Sequence, residues 1–209
     1  MSLTPEAIDA CLPQTQCTRC GYPRCHVYAE AIAAGAADFN QCPPGGDATL
    51  NALAQLLSTQ SKPLNPAYGA RTARQRASID EPACIGCRKC IDVCPVDAIV
   101  GARQLMHSVL EAECNGCALC LPACPVDCIA LLPITPPSAT DGLWPEYTQS
   151  EVDRWRTRTH ARRARLLKLA KAPVNLETPE QESARRRSEI SAAVARVRAK
   201  KIAPPKIHT

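Results

Sequence analysis

The chain has 209 residues, a net charge of +5, only 3% aromatic residues and a single Phe, so large packing side chains are scarce and something else must help hold the fold together. No stretch approaches the eighteen or so consecutive apolar residues of a spanning helix, and Met1-Ser2-Leu3-Thr4-Pro5-Glu6 has neither the basic start nor the apolar run of a secretory leader. The fourteen cysteines are therefore expected to be reduced, cytoplasmic metal ligands rather than a disulfide framework. Charge is unevenly spread: residues 150–209 hold sixteen Lys or Arg against six Asp or Glu, whereas residues 1–149 hold nine against fourteen. An acidic body carries a basic tail.

Residues 1–60 read as short helices around a first cysteine group. Thr4 is placed to cap a helix with Pro5 in its first turn, Ile8, Cys11 and Leu12 on one face and Pro13 as its stop. A second helix is expected over about 23–34, with Val27, Ala31 and Ile32 inward and Gly35 at its end. A third is expected from Asp47, carrying Leu50, Leu53, Leu56 and Leu57. These helices frame Cys17, Cys20, Cys25 and Cys42, three of them on one loop and the fourth returning after a helix. That spacing suits an iron-sulfur cluster, and a zinc ribbon satisfies it as well. Residues 61–78, with Pro63, Pro66 and Gly69, read as a linker.

Residues 79–133 carry the most informative pattern, one run written twice: Cys84, Cys87, Cys90, Cys94-Pro95 and Cys114, Cys117, Cys120, Cys124-Pro125. Cys-x2-Cys-x2-Cys-x3-Cys-Pro is the run of bacterial two-cluster ferredoxins, in which the fourth Cys serves the other cluster. The rule assigns Cys84, Cys87, Cys90 and Cys124 to one [4Fe–4S] cluster and Cys114, Cys117, Cys120 and Cys94 to the other. The repeat has a period of 30, with nine identities in the seventeen positions from Cys84 and Cys114, so a pseudo-twofold site is expected. Gly86 and Gly116 are read as allowing close approach to a cluster, Asp97 and Asp127 as turn residues. Cys11 and Cys128 are left over, and read as small buried hydrophobes.

A Pro-rich linker is expected over 134–149, then two basic helices over 150–172 and about 180–202. Arg154, Arg156, Arg158, Arg162, Arg163, Arg165 and Arg185 to Arg187 are candidates for docking on anionic lipid or a protein partner. Nucleic acid ranks below these because stacking aromatics are missing. The fold class is therefore α+β: a small helical iron-sulfur module, a duplicated ferredoxin-like module and a basic helical tail over 150–209. No dinucleotide fingerprint, phosphate loop or nucleophile elbow is present. His26, next to Cys25, reads as a solvent-facing helix residue.

Leu12-Pro13-Gln14-Thr15-Gln16-Cys17, Cys20-Gly21-Tyr22-Pro23, Cys25 and Cys42-Pro43-Pro44-Gly45-Gly46 resemble the N-terminal iron-sulfur module of the B subunit of Rnf-type ion-translocating electron transport complexes. Cys94-Pro95-Val96-Asp97-Ala98-Ile99-Val100-Gly101 and Gln104-Leu105-Met106-His107 are similar to the same protein family, and the resemblance covers about residues 5–133. It implies a third [4Fe–4S] cluster on Cys17, Cys20, Cys25 and Cys42, single-electron relay, and redox partners that include membrane-bound subunits of such a complex. Subunits of that kind usually begin with a membrane-anchoring hydrophobic helix, and this sequence starts directly at the iron-sulfur module. A cytoplasmic protein, soluble or peripheral on the inner membrane, is the expectation. The other reading is a redox-sensing regulator whose basic tail binds nucleic acid.

Overall fold

The computed structural model describes residues 4–135, 141–171 and 178–202, which fall into two compact units divided after Leu167. In the first unit, α1 (Pro5–Ala10) starts where Thr4 Oγ1 accepts the Ala7 amide at 3.3 Å, with Pro5 in the first turn. α2 (Cys25–Ala33) ends in a turn at Gly35, whose φ is +70°. Its buried face is Tyr28, Ala29 and Ile32 rather than Val27 and Ala31. The Tyr28 hydroxyl sets that rotation: it donates to Asp38 O at 2.7 Å and accepts the Gln41 amide at 3.0 Å, which needs the ring inside. α3 (Gly46–Leu56) begins one residue before Asp47 and buries Thr49, Leu50, Leu53 and Ala54, leaving Leu56 exposed. Ile8, Leu12, Tyr28, Ile32, Phe39, Leu50 and Leu53 form one core, against which Cys20 and Cys25 pack.

Among the described residues four strands make two small antiparallel ribbons. β1 (Gln75–Ile79) pairs with β4 (Ile129–Pro133), and β2 (Ile99–Val100) with β3 (Ser108–Val109). Ile79 faces Ile129 while Val109 faces Ile99, so a shift of 30 residues carries one pairing onto the other. Each repeat thus lends its outgoing strand to the strand that precedes the other repeat. A short helix, α4 (Lys89–Val93), carries Cys90.

The stretch 134–149, expected as a linker, delivers Trp144 and Tyr147 to the core, and α5 (Gln149–Lys171) adds Val152 and Trp155. Both tryptophans are fully buried in the cluster that holds Cys90, Cys94 and Cys120. Trp144 Nε1 donates to Thr49 Oγ1 at 2.9 Å, and Thr49 Oγ1 donates to Cys11 O at 2.9 Å, tying this segment to the N-terminal helices. The first half of α5 is therefore part of the body. Arg156 meets Asp9 at 3.0 Å, and Arg154 and Arg158 approach Glu113 at 3.4 and 3.3 Å. Arg162 and Arg165 hold Asp97 at 2.5 and 2.9 Å. Much of the charge read as a free basic surface is spent on internal acceptors.

In the second unit, Thr178 and Gln181 exchange side-chain and backbone hydrogen bonds at 2.9 and 3.3 Å and start α6 (Pro179–Ile202). Ile190 and Val194 are exposed. No described helix is long and apolar enough to cross a membrane.

Arg74 anchors α5 from the strand side: its guanidinium reaches Glu151 at 2.5 and 3.1 Å and lies 5.5 Å from the Tyr147 ring. Burial opposes ionisation of Glu151, but the bonds from Arg74 and from Thr148 outweigh it and hold the carboxyl below its ordinary range. A depressed carboxyl contributes stability above its unfolded pKa and loses it as pH falls through the folded value. Glu151→Gln is expected to cost about 2 kcal/mol near neutral pH, with the gap to the wild type narrowing as pH is lowered, measured by anaerobic denaturant unfolding followed by circular dichroism.

Candidate functional site

Twelve cysteines converge in three sets of four. Cys17, Cys20, Cys25 and Cys42 line one pocket with Tyr22, Tyr28 and Pro43. The loop feeding it coils tightly, with Gln14, Gln16 and Thr18 at φ of 56°, 54° and 61°, left-handed values that L side chains adopt only under constraint. Buried amides supply the constraint: Gln14 Nε2 donates to Asp9 O at 3.0 Å, Gln16 Nε2 to Gln14 Oε1 at 2.8 Å, and the Cys25 amide to Gln16 Oε1 at 3.0 Å. Cys84, Cys87, Cys90 and Cys124 line a second pocket, beside Cys128, and Cys94, Cys114, Cys117 and Cys120 line a third. The fourth thiol of each run joins the cavity of the other run.

Backbone amides point at these sulfurs. Ala98 N–H donates to Cys94 Sγ at 3.2 Å, Ala77 N–H to Cys114 Sγ at 3.4 Å and His107 N–H to Cys84 Sγ at 3.4 Å. The last two are equivalent under the 30-residue repeat. Gly86 and Gly116 have φ of +67° and +70° and lie against the backbone of a facing segment. A Cβ on Gly86 would stand 2.6 Å from Leu105 N, and one on Gly116 2.3 Å from Gln75 O. It is the backbone of the facing segment that crowds them.

Burial and the neighbouring sulfurs disfavour the charged thiolate form in these sites. Burial first, then the neighbouring sulfurs, pushes Cys90 up to about 11 and Cys120 up to about 12, and raises Cys25 and Cys42 well above the ordinary thiol value. Such sets release their protons when a metal supplies positive charge. Four soft thiols lining one pocket, with amides aimed at sulfur, fit an iron-sulfur cluster. Among the described residues no three His, Cys, Asp or Glu side chains meet in a way that could hold a single ion.

Some participants had only weak sequence signals. Cys128 lines the second cavity, with its Sγ 3.5 Å from Cys124 Sγ. Burial and the Cys124 sulfur push its thiol up, while amides of Val126, Cys128 and Asp127 hold Cys124 down. Asn115, 5% exposed, donates from Nδ2 to Thr15 O at 2.8 Å and joins the first cysteine loop to the second repeat. Cys17 and Cys117 line one cleft there. His107 is buried beside Cys90; its place in a run of apolar and polar residues gave no warning of that. His26 sits 3.4 Å from Glu30 on α2.

A family model described as a 4Fe-4S dicluster domain matches residues 77–131, and one described as a putative Fe-S cluster matches residues 12–44. The B subunits of the ion-translocating oxidoreductase complex from Azoarcus sp. and Pseudomonas aeruginosa are each 58% identical to this chain. The matches run over 129 and 141 residues, covering 62% and 68% of this chain and 70% and 73% of the relatives.

The chain belongs to this family of B subunits.

The relative of the same name from Thiobacillus denitrificans is 57% identical over 105 residues, and there the match spans 50% of this chain and just over half, 56%, of the relative. No solved structure matches the chain. Both family-model matches fall on the cysteine cavities of this family member: residues 12–44 bracket the first set, and residues 77–131 the other two.

If each set of four thiols holds one cubane, Cys42→Ala is expected to lose about a third of the iron of anaerobically prepared protein. Cys128→Ala is expected to keep all of it. Iron and acid-labile sulfide assays check both.

Proposed function

We propose that this chain relays single electrons through three [4Fe–4S] clusters as the electron-transfer subunit of an Rnf-type ion-translocating oxidoreductase complex. Cys17, Cys20, Cys25 and Cys42 would hold one cluster, Cys84, Cys87, Cys90 and Cys124 the second, and Cys114, Cys117, Cys120 and Cys94 the third. The last two sit in a duplicated, ferredoxin-like module. When bound, such a cluster accepts and returns one electron at a potential set by charge, sulfur hydrogen bonds and solvent exposure. The observation that carries the reading is the convergence of these twelve thiols on three pockets, four to each, within one compact unit, with Cys128 beside the second set.

The residues suggest an order. Cys17 and Cys117 share a cleft, and Asn115 fastens the first loop to the second repeat, so the N-terminal site neighbours the Cys114 set. At the position equivalent to Asn115, the first repeat has Ile85, which is 57% exposed. Ile85 and Val126 border the Cys84 set and leave an apolar outer face for a redox partner. Among the partners we include the membrane-bound subunits of the complex. Docking through the basic residues beyond Leu167 on the cytoplasmic face of the membrane is part of the same proposal.

The regulatory reading has less to stand on, because Arg154, Arg156, Arg158, Arg162 and Arg165 contact acceptors within the protein. The test is anaerobic purification with metal and sulfide assays, followed by dithionite reduction and electron paramagnetic resonance. Iron and sulfide for three cubanes, with reversible low-potential signals, is the expected result. Colourless protein loaded with zinc and free of labile sulfide would overturn the proposal.

A further inference from the structure

The two halves of the 77–131 region share a backbone plan but differ at one buried ring. Seven residues ahead of each repeat, an amide donates to the first cysteine of the other repeat: Ala77 to Cys114, and His107 to Cys84, both at 3.4 Å. Ala77 offers its set only that amide. His107 also places an imidazole in the wall of the Cys84, Cys87, Cys90 and Cys124 cavity, 1% exposed, with Nδ1 at 3.3 Å from Cys90 Sγ.

The surroundings decide which way this contact runs. His107 Nε2 is buried with no hydrogen-bond partner among the described residues. A proton on Nε2 would strand a donor there and set the Nδ1 lone pair against the sulfur lone pairs. A proton on Nδ1 gives a donor to sulfur and leaves only an acceptor unpaired, so that tautomer is favoured. Gly101 makes the room: its φ is +145°, and a Cβ there would stand 2.4 Å from His107 Cδ2 and 2.9 Å from Met106 O.

We propose that His107 is a positioning residue for the transferred electron: by donating from Nδ1 to the Cys90 sulfur, it makes the Cys84, Cys87, Cys90 and Cys124 site the higher-potential member of the ferredoxin-like pair. This rests on the cluster assignment proposed above. A donor to a ligand sulfur withdraws electron density and stabilises the reduced, more negative state. The step it biases is balanced as one electron leaving the Cys114, Cys117, Cys120 and Cys94 site and arriving at the Cys84 site, with no bond made or broken and no proton moved. The electron then rests behind Ile85 and Val126, the exposed side of the pair.

The test uses the full chain, prepared anaerobically, as wild type and as His107→Leu, His107→Asn and His107→Gln. Each is assayed for iron and sulfide and titrated electrochemically with paramagnetic resonance detection. With iron intact, His107→Leu is expected to shift the electron distribution between the two sites about tenfold toward the Cys114 set, equivalent to about 59 mV for one electron. The midpoint of the N-terminal site is expected to stay put. Asn, whose amide nitrogen can stand where Nδ1 does, is expected to restore the wild-type midpoint, whereas Gln, reaching toward the Nε2 position, is not. If the Leu variant loses iron, the Asn and Gln pair decides by the same criterion. Unmoved midpoints in iron-replete His107→Leu, equal shifts at both sites, or identical midpoints for Asn and Gln would overturn this inference alone. Wild-type protein lacking iron and sulfide would remove the sites themselves, and the inference with them.

Discussion

Thiols packed four to a cavity oppose ionisation in one another, and this constraint organises the molecule. Cys25, Cys42, Cys90, Cys117 and Cys120 all have their thiols pushed up by burial and by neighbouring sulfurs. A protein that gathers such groups needs cationic charge at the centre and amide donors at the rim. The left-handed turns at Arg88 and Ala118, and at Asp97 and Asp127, recur at the same places in the two repeats and shape those rims alike. With one Phe in the chain and few other aromatics, cluster binding is also the natural source of the folding free energy that the apolar core cannot supply alone.

The internal twofold matters most where it fails. Asn115 is buried against Thr15, whereas its counterpart Ile85 lies open. Asp97 is gripped by Arg162 and Arg165, whereas Asp127 is exposed. His107 brings a ring where Ala77 has a methyl group. Each difference gives the two sets of cysteines different surroundings, one fastened to the N-terminal module through Asn115 and the other bordered by exposed Ile85.

Helix α5 shows how composition can mislead. Its arginine-rich sequence has the character of a solvated surface, yet Val152, Trp155 and Thr159 form a narrow buried stripe. The arginines beside that stripe lie over carbonyl and carboxylate groups of the loops they cover, including Val96 O at 2.6 Å from Arg158. They bind the N-terminal module and both repeats into one unit, and the aromatic residues they flank supply the largest buried side chains in the molecule.

By itself, the sequence determined the cysteine spacing, the 30-residue repeat, and short-range helix signals such as Thr4-Pro5 and Gly35. These depend on neighbours a few residues apart, or on chemistry that tolerates little variation. The rotation of α2 about Tyr28, the burial of Trp144 and Trp155, the backbone contacts that require Gly86 and Gly116, and the placing of His107 against Cys90 depend on segments that meet only after folding. Tertiary structure decided them because a side chain's environment is set by whatever packs across from it, and local pattern carries no record of that partner.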